Sequence, residues 1–582
     1  MNERFLKYNE KKIKMSNKIL LKIKNLVRKN NVKKADILFK RLLKTDQNNN
    51  SLKRFYLDTL FKEKKYKNVT AVFLSLFKDT VDEQILKIFS ISLLELNKFQ
   101  EAEIYFLKII KINEIPENLS LLAICQSKLG KNEMAIENFK RAINIEPNNS
   151  RYIINLANHF RESNRTIQAI NLLKDFNKST TNINVLILLV GLLRDIQKHE
   201  EAIEYCSEAM KIEKENSYLI LILATLFLES NNVVEAEKFF ELSLKYRPFF
   251  GPALRMLSLF KKIDAQKLSD LEKFIENSKS FDPNLIQLGL AVSNFLEKNN
   301  NFKKSFKYLK RFNSYQKELT KYNINYYREK FDKIRSIYRY YTRKKEYLNK
   351  EIKDICPIFI VGLPRSGTSL VEQILSSKKE IKSCGELTFL DDNFSKIFKS
   401  IKEEDISIRM LEMLSTTYID NVVENLEVKE KFFTDKMPLN FFYVGIINLI
   451  YPSSKIILCK RSKMDNIISL YRNFFPSGNN FSYDLSDIND FLKLYDEVIT
   501  YWKKERINFH IVDYESLIRD FKTETSMLFK YLNLNVDDSI LEFHKNKRVV
   551  QTASFLQVRR PLFKSSIDSW KKYKDEIGYL NN

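Results

Sequence analysis

Two stretches of this 582-residue sequence combine residue types that bind phosphate-like anions. In PIFIVGLPRSGTSLVEQILSS, the run Ile358 to Val361 is continuously apolar, as a buried parallel strand requires. Gly362 to Ser369 follows as a glycine-bracketed turn, and Leu370 to Ser376 has amphipathic helical spacing. Strand, turn and helix in that order make a phosphate-binding loop, where backbone N–H groups converge on an oxyanion at the positive end of a helix. The nucleoside-triphosphatase version reads G-x-x-x-x-G-K-[ST]. Gly362, Gly367 and Ser369 fit it, but Thr368 replaces the lysine that neutralises the β and γ phosphates. A different cation, Arg365, lies inside the loop beside Ser366. The second stretch is SKIILCKRSKMDNIISLYRNFF. Ile456 to Cys459 form an apolar strand, Arg461 follows its end, and Ser469 lies eight residues on in the next helix. An arginine so placed offers a phosphate dianion a charge-assisted, bidentate partner.

Pro364-Arg365-Ser366-Gly367-Thr368-Ser369 resembles the 5′-phosphosulfate loop of sulfotransferases, and Arg461 with Ser469 resembles the grip on the 3′-phosphate in the same superfamily. The cofactor implied is 3′-phosphoadenylyl sulfate. Two segments between them are similar to tyrosylprotein sulfotransferases: SCGELTFL, carrying Glu386, and FTDKMPLNF, carrying Lys436. That resemblance implies that Glu386, 21 residues after Arg365, is the catalytic base and that Lys436 stabilises the transition state. The family has two adjacent acids after the glycine. Here Leu387 takes the second place and Glu386 aligns with the first, so a helix-capping carboxylate is the alternative reading of Glu386. HIVDYESLIRDF resembles the strand and turn that put Tyr514 near the nucleotide. VVQTASFLQVRRPLFKSSIDSWKKY resembles the segment that closes over it, with Ser554 matching a serine that stabilises the leaving group. Gln557 to Trp570 keeps the family's interval, but the lysine before that tryptophan is Ser569 here. Arg559, counted with the cofactor-binding residues, or Arg560 or Lys571 would then supply the charge.

The implied chemistry needs no unusual group. Glu386 would take the acceptor's proton. Arg365, Lys436, Ser554 and the loop groups of Gly367, Thr368 and Ser369 would stabilise charge on the departing bisphosphate. No Asp/His metal cluster is visible among only 4 histidines, so metal-independent catalysis is expected.

The elements ahead of this domain repeat. A small residue in a matching aromatic and aliphatic frame recurs at Ala102, Ala135, Ala169, Ala202 and Ala236, a step of 33 or 34 residues. The same step reaches back to Val69 and Ala35 and forward, past a degenerate unit near 270, to Ser305. This is the tetratricopeptide period: paired helices that bury their apolar faces only by stacking, with a small residue at the close approach. Gly130 marks a turn within a unit, and Pro147 and Pro248 mark breaks after second helices. A Tyr-, Lys- and Arg-rich stretch, YNINYYREKFDKIRSIYRYYTRKKEYLNKE, reads as an amphipathic packing helix. The expected organisation is a multidomain chain: an all-α repeat solenoid over 1–315, a helical junction over 316–355 and an α/β domain with a parallel sheet over 356–582. As a whole it is similar to bacterial-type tetratricopeptide sulfotransferases.

The net charge is +25, from 98 Lys+Arg against 73 Asp+Glu. The basic residues are spread and carry no nucleic-acid signature, so compositional bias explains them and no nucleic-acid partner is expected. Five cysteines, none at metal or redox spacing, point to a reducing compartment. The first thirty residues interrupt each apolar run with Lys or Asn, and no 18 uncharged apolar residues run together. A cytoplasmic location without a transmembrane segment is expected. The repeats would dock a protein or peptide, acceptor or partner. A kinase-type transferase on the same loop fold, or a repeat scaffold with an inactive domain, are the alternatives.

Overall fold

The structure is a computed structural model. It describes residues 18–45, 49–278, 282–344, 355–400, 406–546, 548–552 and 554–581. Residues 1–17, part of the leader expectation, and 345–354, part of the junction, lie outside the described residues. Two compact units divide the chain, Met1–Leu188 and Leu189–Asn582.

The repeat arithmetic has a backbone counterpart. Left-handed residues recur at Asn30, Lys64, Asn97, Gly130, Asn164, Gln197, Asn231 and Asn300. The second helix of a unit starts two residues after each: Val32–Thr45, Tyr66–Leu76, Phe99–Ile112, Asn132–Ile145, Thr166–Ser179, His199–Ile212, Val233–Tyr246 and Phe302–Thr320. The framed small residue falls in the first turn of each helix. Ala35, Val69, Ala102, Ala135, Ala169, Ala202 and Ala236 are fully buried, and Ser305 is nearly so. A larger side chain there would push neighbouring helices apart. In the unit near 270 the first helix is cut to Gly251–Ser258, and the second, Ala265–Asn277, is started by Asp264, whose carboxylate accepts from Lys267 N at 2.7 Å.

Within the second unit, the helix Ile324–Lys344 is the packing helix expected of the basic aromatic stretch. Its Phe331 and Tyr338 pack edge-on against the buried Trp502 at centroid distances of 5.7 and 5.3 Å. One apolar core runs from the last repeats through this helix and into the sheet.

The sheet has five parallel strands: β1 (Cys356–Gly362), β2 (Ile381–Ser383), β3 (Phe432–Asp435), β4 (Lys455–Lys460) and β5 (His510–Asp513). Their order is β2-β3-β1-β4-β5. β1 is central; the chain runs from it to the edge strand β2, returns to β3, and then crosses β1 to β4 and β5. The carboxyl ends of β1 and β4 therefore meet at a topological switch point, where open parallel sheets place their ligand crevice. No helix among the described residues is long and apolar enough to cross a membrane.

Candidate active site

β1 delivers the loop Leu363–Gly367, and the helix Thr368–Leu375 begins directly behind it. Two glycines are fixed by close approach. Gly362 has φ +147°, and a Cβ there would stand 2.5 Å from the Cys459 carbonyl of β4. Gly367 has φ +97°, and its Cβ would stand 2.7 Å from the Tyr514 ring. A side chain is thus excluded at both positions. Arg365 adopts the left-handed conformation at the loop's tip, with φ +69°.

Sequence-distant residues converge on Arg365. Its Nε donates to Ser469 Oγ at 3.0 Å, its Nη1 to Ser554 Oγ, and its Nη2 to Gln557 Oε1 at 2.8 Å. Arg461 reaches the loop from the end of β4, donating from Nη1 to the Arg365 carbonyl at 3.0 Å and from Nη2 to the Ser566 carbonyl at 2.8 Å. Its guanidinium lies 4.9 Å from the centre of the Tyr514 ring, and the Tyr514 hydroxyl bonds Ser566 Oγ at 2.7 Å. Ser369 Oγ bonds Thr552 Oγ1 at 3.1 Å. Thr368 and Ser366 are buried, and among the described residues Ser366 Oγ has no hydrogen-bond partner.

The second cluster lies across the loop. Lys436 follows β3 and is fully buried, with Nζ bonded to Glu386 Oε1 at 2.5 Å. The Glu386 side chain is 43% exposed, so it forms the solvent-facing member of the pair. Glu386 follows Gly385, whose N–H donates to Glu372 Oε1 at 2.9 Å. Asp435, next to Lys436, accepts from the Tyr418 hydroxyl at 2.8 Å, and burial pushes its pKa up to about 7.

Both clusters open on a cavity of about 1220 Å³. Loop residues Arg365, Gly367, Thr368 and Ser369 line it, with Glu386, Arg461, Ser469, Tyr514 and Ser554. Repeat helices of the same compact unit supply a further wall, through Leu221, Thr225, Arg255, Leu290 and Lys298.

Of the residues singled out from the sequence, the structure separates one from the rest. Arg559 points at a repeat helix, where Nη1 donates to the Leu228 carbonyl at 2.8 Å and Nη2 to that of Glu229. Of the other two cations weighed for the missing lysine, Lys571 pairs with Asp568 at 2.8 Å, and Arg560 lines the cavity.

Sequence reasoning missed three supports. Glu372, in the loop helix, also accepts from Thr434 Oγ1 at 2.9 Å and pairs with Arg548 at 3.1 Å, tying the loop helix to β3 and to the Gly385–Glu386 turn. A glutamate among the apolar residues of a buried helix was the available signal. Arg548 carries no local signal at all. Asp465, four residues after Arg461, binds Asp568 N, Ser569 Oγ and Trp570 N at 2.8 to 3.0 Å, so Ser569 serves as an anchor for the closing segment.

The donor set suits a doubly phosphorylated anion. Among the described residues neither Arg365 nor Arg461 pairs with a carboxylate, and Arg461 Nε is buried without a partner. Burial, then the neighbouring Arg461 and Arg472, push the Arg365 pKa down to about 10. Two neighbouring guanidiniums that repel each other are a costly arrangement that a bound polyanion would relieve. Among the described residues no group of three or more His, Cys, Asp or Glu is placed to hold a metal ion.

Residues 357–538 match the family model described as Sulfotransferase family, and residues 116–149 match that of the Tetratricopeptide repeat. An uncharacterized protein of Aquifex aeolicus is 32% identical over 305 residues, covering 49% of this chain and 39% of that protein. The chain thus spans about two fifths of that relative's length. Among solved structures, the C-terminal part of a TPR repeat-containing protein from Cytophaga hutchinsonii is similar at 15% identity and a TM-score of 0.31, over 44% of this chain and 98% of that one. The sulfotransferase domain of the Synechococcus PCC 7002 olefin synthase is similar at 18% identity and a TM-score of 0.27, over 39% and 91%. The chain joins tetratricopeptide repeats to a domain of the sulfotransferase family.

Proposed function

We propose that the protein transfers a sulfuryl group from 3′-phosphoadenylyl sulfate to an acceptor hydroxyl. The observation that carries the proposal is a pair of neighbouring arginines at the switch point, Arg461 bonded to the carbonyl of Arg365 and neither with a carboxylate partner among the described residues, beside a loop that lacks the triphosphatase lysine. The bound donor supplies an activated sulfuryl group whose leaving group is a nucleoside bisphosphate.

Arg461 and Ser469 hold the 3′-phosphate, at the end of β4 and in the helix behind it. The Gly367–Ser369 amides and the Ser366, Thr368 and Ser369 hydroxyls bind the 5′ side at the helix N-terminus. Tyr514 and the guanidinium of Arg461 build one stacked wall beside them. Arg365 and Ser554 are bonded to each other and stand where charge develops on the leaving oxygen. Preorganised donors of this kind act without reorganising during the reaction. Lys436 adds a buried ammonium whose present partner is Glu386.

Glu386 faces the cavity and accepts the proton of the incoming hydroxyl. The bond formed joins the acceptor oxygen to sulfur, and the bond broken joins sulfur to the bridging oxygen. The acceptor's proton goes to Glu386 and the negative charge to the bisphosphate. As that charge grows, Lys436 is drawn from Glu386 towards it, freeing the carboxylate to take the proton.

The cavity of about 1220 Å³ exceeds the roughly 300–1,000 Å³ usual for one small ligand, which leaves room for donor and acceptor together. Because repeat helices line it, the repeats contribute to acceptor recognition as well as to docking a partner. The cations needed are protein side chains, so turnover is metal-independent in this reading. The protein works in the cytoplasm, where free thiols such as its five cysteines stay reduced.

Calorimetry of 3′-phosphoadenosine 5′-phosphate against ATP, on wild type and on Arg365→Ala, tests the proposal. Tight bisphosphate binding, weak ATP binding and loss of the former in Arg365→Ala are expected. Preferential ATP binding would move the assignment to a kinase-type transferase, and absence of both to a scaffold.

A further inference from the structure

The segment that closes over the loop has two differently engaged sides. Towards the loop, Thr552 bonds Ser369, and Ser554 and Gln557 accept from Arg365. Away from the loop, the same segment is bound to the end of the repeat helix Ser217–Glu229. Arg559 donates to the carbonyls of Leu228 and Glu229, the last two residues of that helix. Val550 N donates to the Glu229 carbonyl at 3.4 Å, and Gln551 Nε2 to the Arg194 carbonyl at 2.6 Å.

The helix end is itself fixed. The Glu229 carboxylate is buried and bound by Arg194 Nε at 2.9 Å and by His199 Nε2 at 2.9 Å. Terminal carbonyls of a helix lack intrahelical partners and carry the negative end of its dipole, so a guanidinium is the favoured occupant. No carboxylate partner competes for Arg559 among the described residues. Between its carbonyl contacts and those of Ser554 and Gln557 with Arg365 the chain runs only two to five residues. Displacement of one side must therefore move the other.

We infer that Arg559 is a positioning residue that fastens the closing segment to the repeat helix Ser217–Glu229, making that repeat a structural part of the donor site. The inference rests on the donor reading above for its second half only. Its consequence is linkage: a ligand that shifts the end of this helix changes donor affinity, and the donor changes that ligand's affinity by the same factor.

Hydrogen exchange on the full-length protein tests it, with Arg559→Ala, Arg559→Lys and Gln551→Ala beside wild type. In the ligand-free arm, Arg559→Ala exchanges faster at 548–560 and at the end of helix Ser217–Glu229, while helix Pro283–Lys298 is unchanged. Arg559→Lys, which keeps one charged donor, recovers part of the protection. In the donor arm, 3′-phosphoadenosine 5′-phosphate binds Arg559→Ala about tenfold or more weakly, as expected for losing charge-assisted hydrogen bonds that position its partners. The bisphosphate also slows exchange at the helix end in wild type and no longer does so in Arg559→Ala. If Arg559→Ala does not fold, Gln551→Ala, changed at an exposed position, must show the same pattern in weaker form. Unchanged exchange at both segments overturns the fastening. Faster exchange with wild-type bisphosphate affinity overturns the link to the donor. If wild type binds no bisphosphate, the donor reading fails and the donor half with it, and the ligand-free arm alone decides the fastening.

Discussion

Replacing Glu372 by Gln isolates the contact that joins the loop helix to the Gly385–Glu386 turn. The carboxylate is 1% exposed and accepts from Gly385 N–H and Thr434 Oγ1, both at 2.9 Å, while pairing with Arg548 at 3.1 Å. Burial alone would raise its pKa, but Arg548, Lys436 and these hydrogen bonds more than offset that and hold it below the usual glutamate value. Glutamine keeps the volume and one acceptor oxygen. It removes the charge and leaves the largely buried Arg548 uncompensated, a loss of about 3–5 kcal/mol for a buried pair broken on one side. Unfolding entropy near 2.1 cal/mol/K per residue, taken over the roughly 390 residues of the second compact unit, converts this to a fall of about 4–6 °C in that unit's melting temperature. Scanning calorimetry on the full chain reads it, with the transition of the first compact unit as internal control. Removing both charges, as Glu372→Met with Arg548→Met, costs less than Glu372→Gln alone because no orphaned charge remains. A Glu372→Gln protein melting within about 1 °C of wild type, or a double variant worse than the single, would refute the reasoning.

Two further outcomes follow from the same geometry. Glu386→Gln lowers kcat by about 10²–10⁴, the usual contribution of a general base, while affinity for 3′-phosphoadenosine 5′-phosphate stays at the wild-type level; a variant with unimpaired turnover removes Glu386 from the reaction. Asp435 titrates near 3.8 unfolded and near 7 folded, the rise coming first from burial and then from Glu372, against the opposing bond from Tyr418 and charge of Lys436. Its contribution to stability is therefore complete below about pH 4 and is lost as pH rises through about 7. Asp435→Asn should gain melting temperature relative to wild type between pH 5 and pH 8, and a difference that stays flat over this range contradicts the raised pKa.

Much of this was readable from residue order because the signals are local. The loop is a strand, a turn and a helix within one short stretch, and only its helix start differs, at Thr368 rather than Leu370. The repeat frame is legible in small residues such as Ala102 and Ala135, whose burial follows from close helix approach. The matching left-handed turns are not legible in the sequence because asparagine, lysine and glutamine occupy most of them, and only Gly130 announces itself. β2 is three residues long, too short for a period to register. Sequence neighbours place Arg559 with the cofactor, yet two of the carbonyls it binds lie some 330 residues away on another helix. Arg548 and Glu372 likewise meet across more than 170 residues, a pairing that only the closed fold creates.

The claim that the donor carries a 3′-phosphate is tested most directly at Arg461. Binding of 3′-phosphoadenosine 5′-phosphate and of adenosine 5′-phosphate should be measured by calorimetry on wild type and on Arg461→Ala. The account predicts that wild type favours the bisphosphate by about a hundredfold, in line with two charge-assisted contacts, and that Arg461→Ala binds the two nearly alike. Equal affinity in wild type, or a preference that survives in Arg461→Ala, would contradict it.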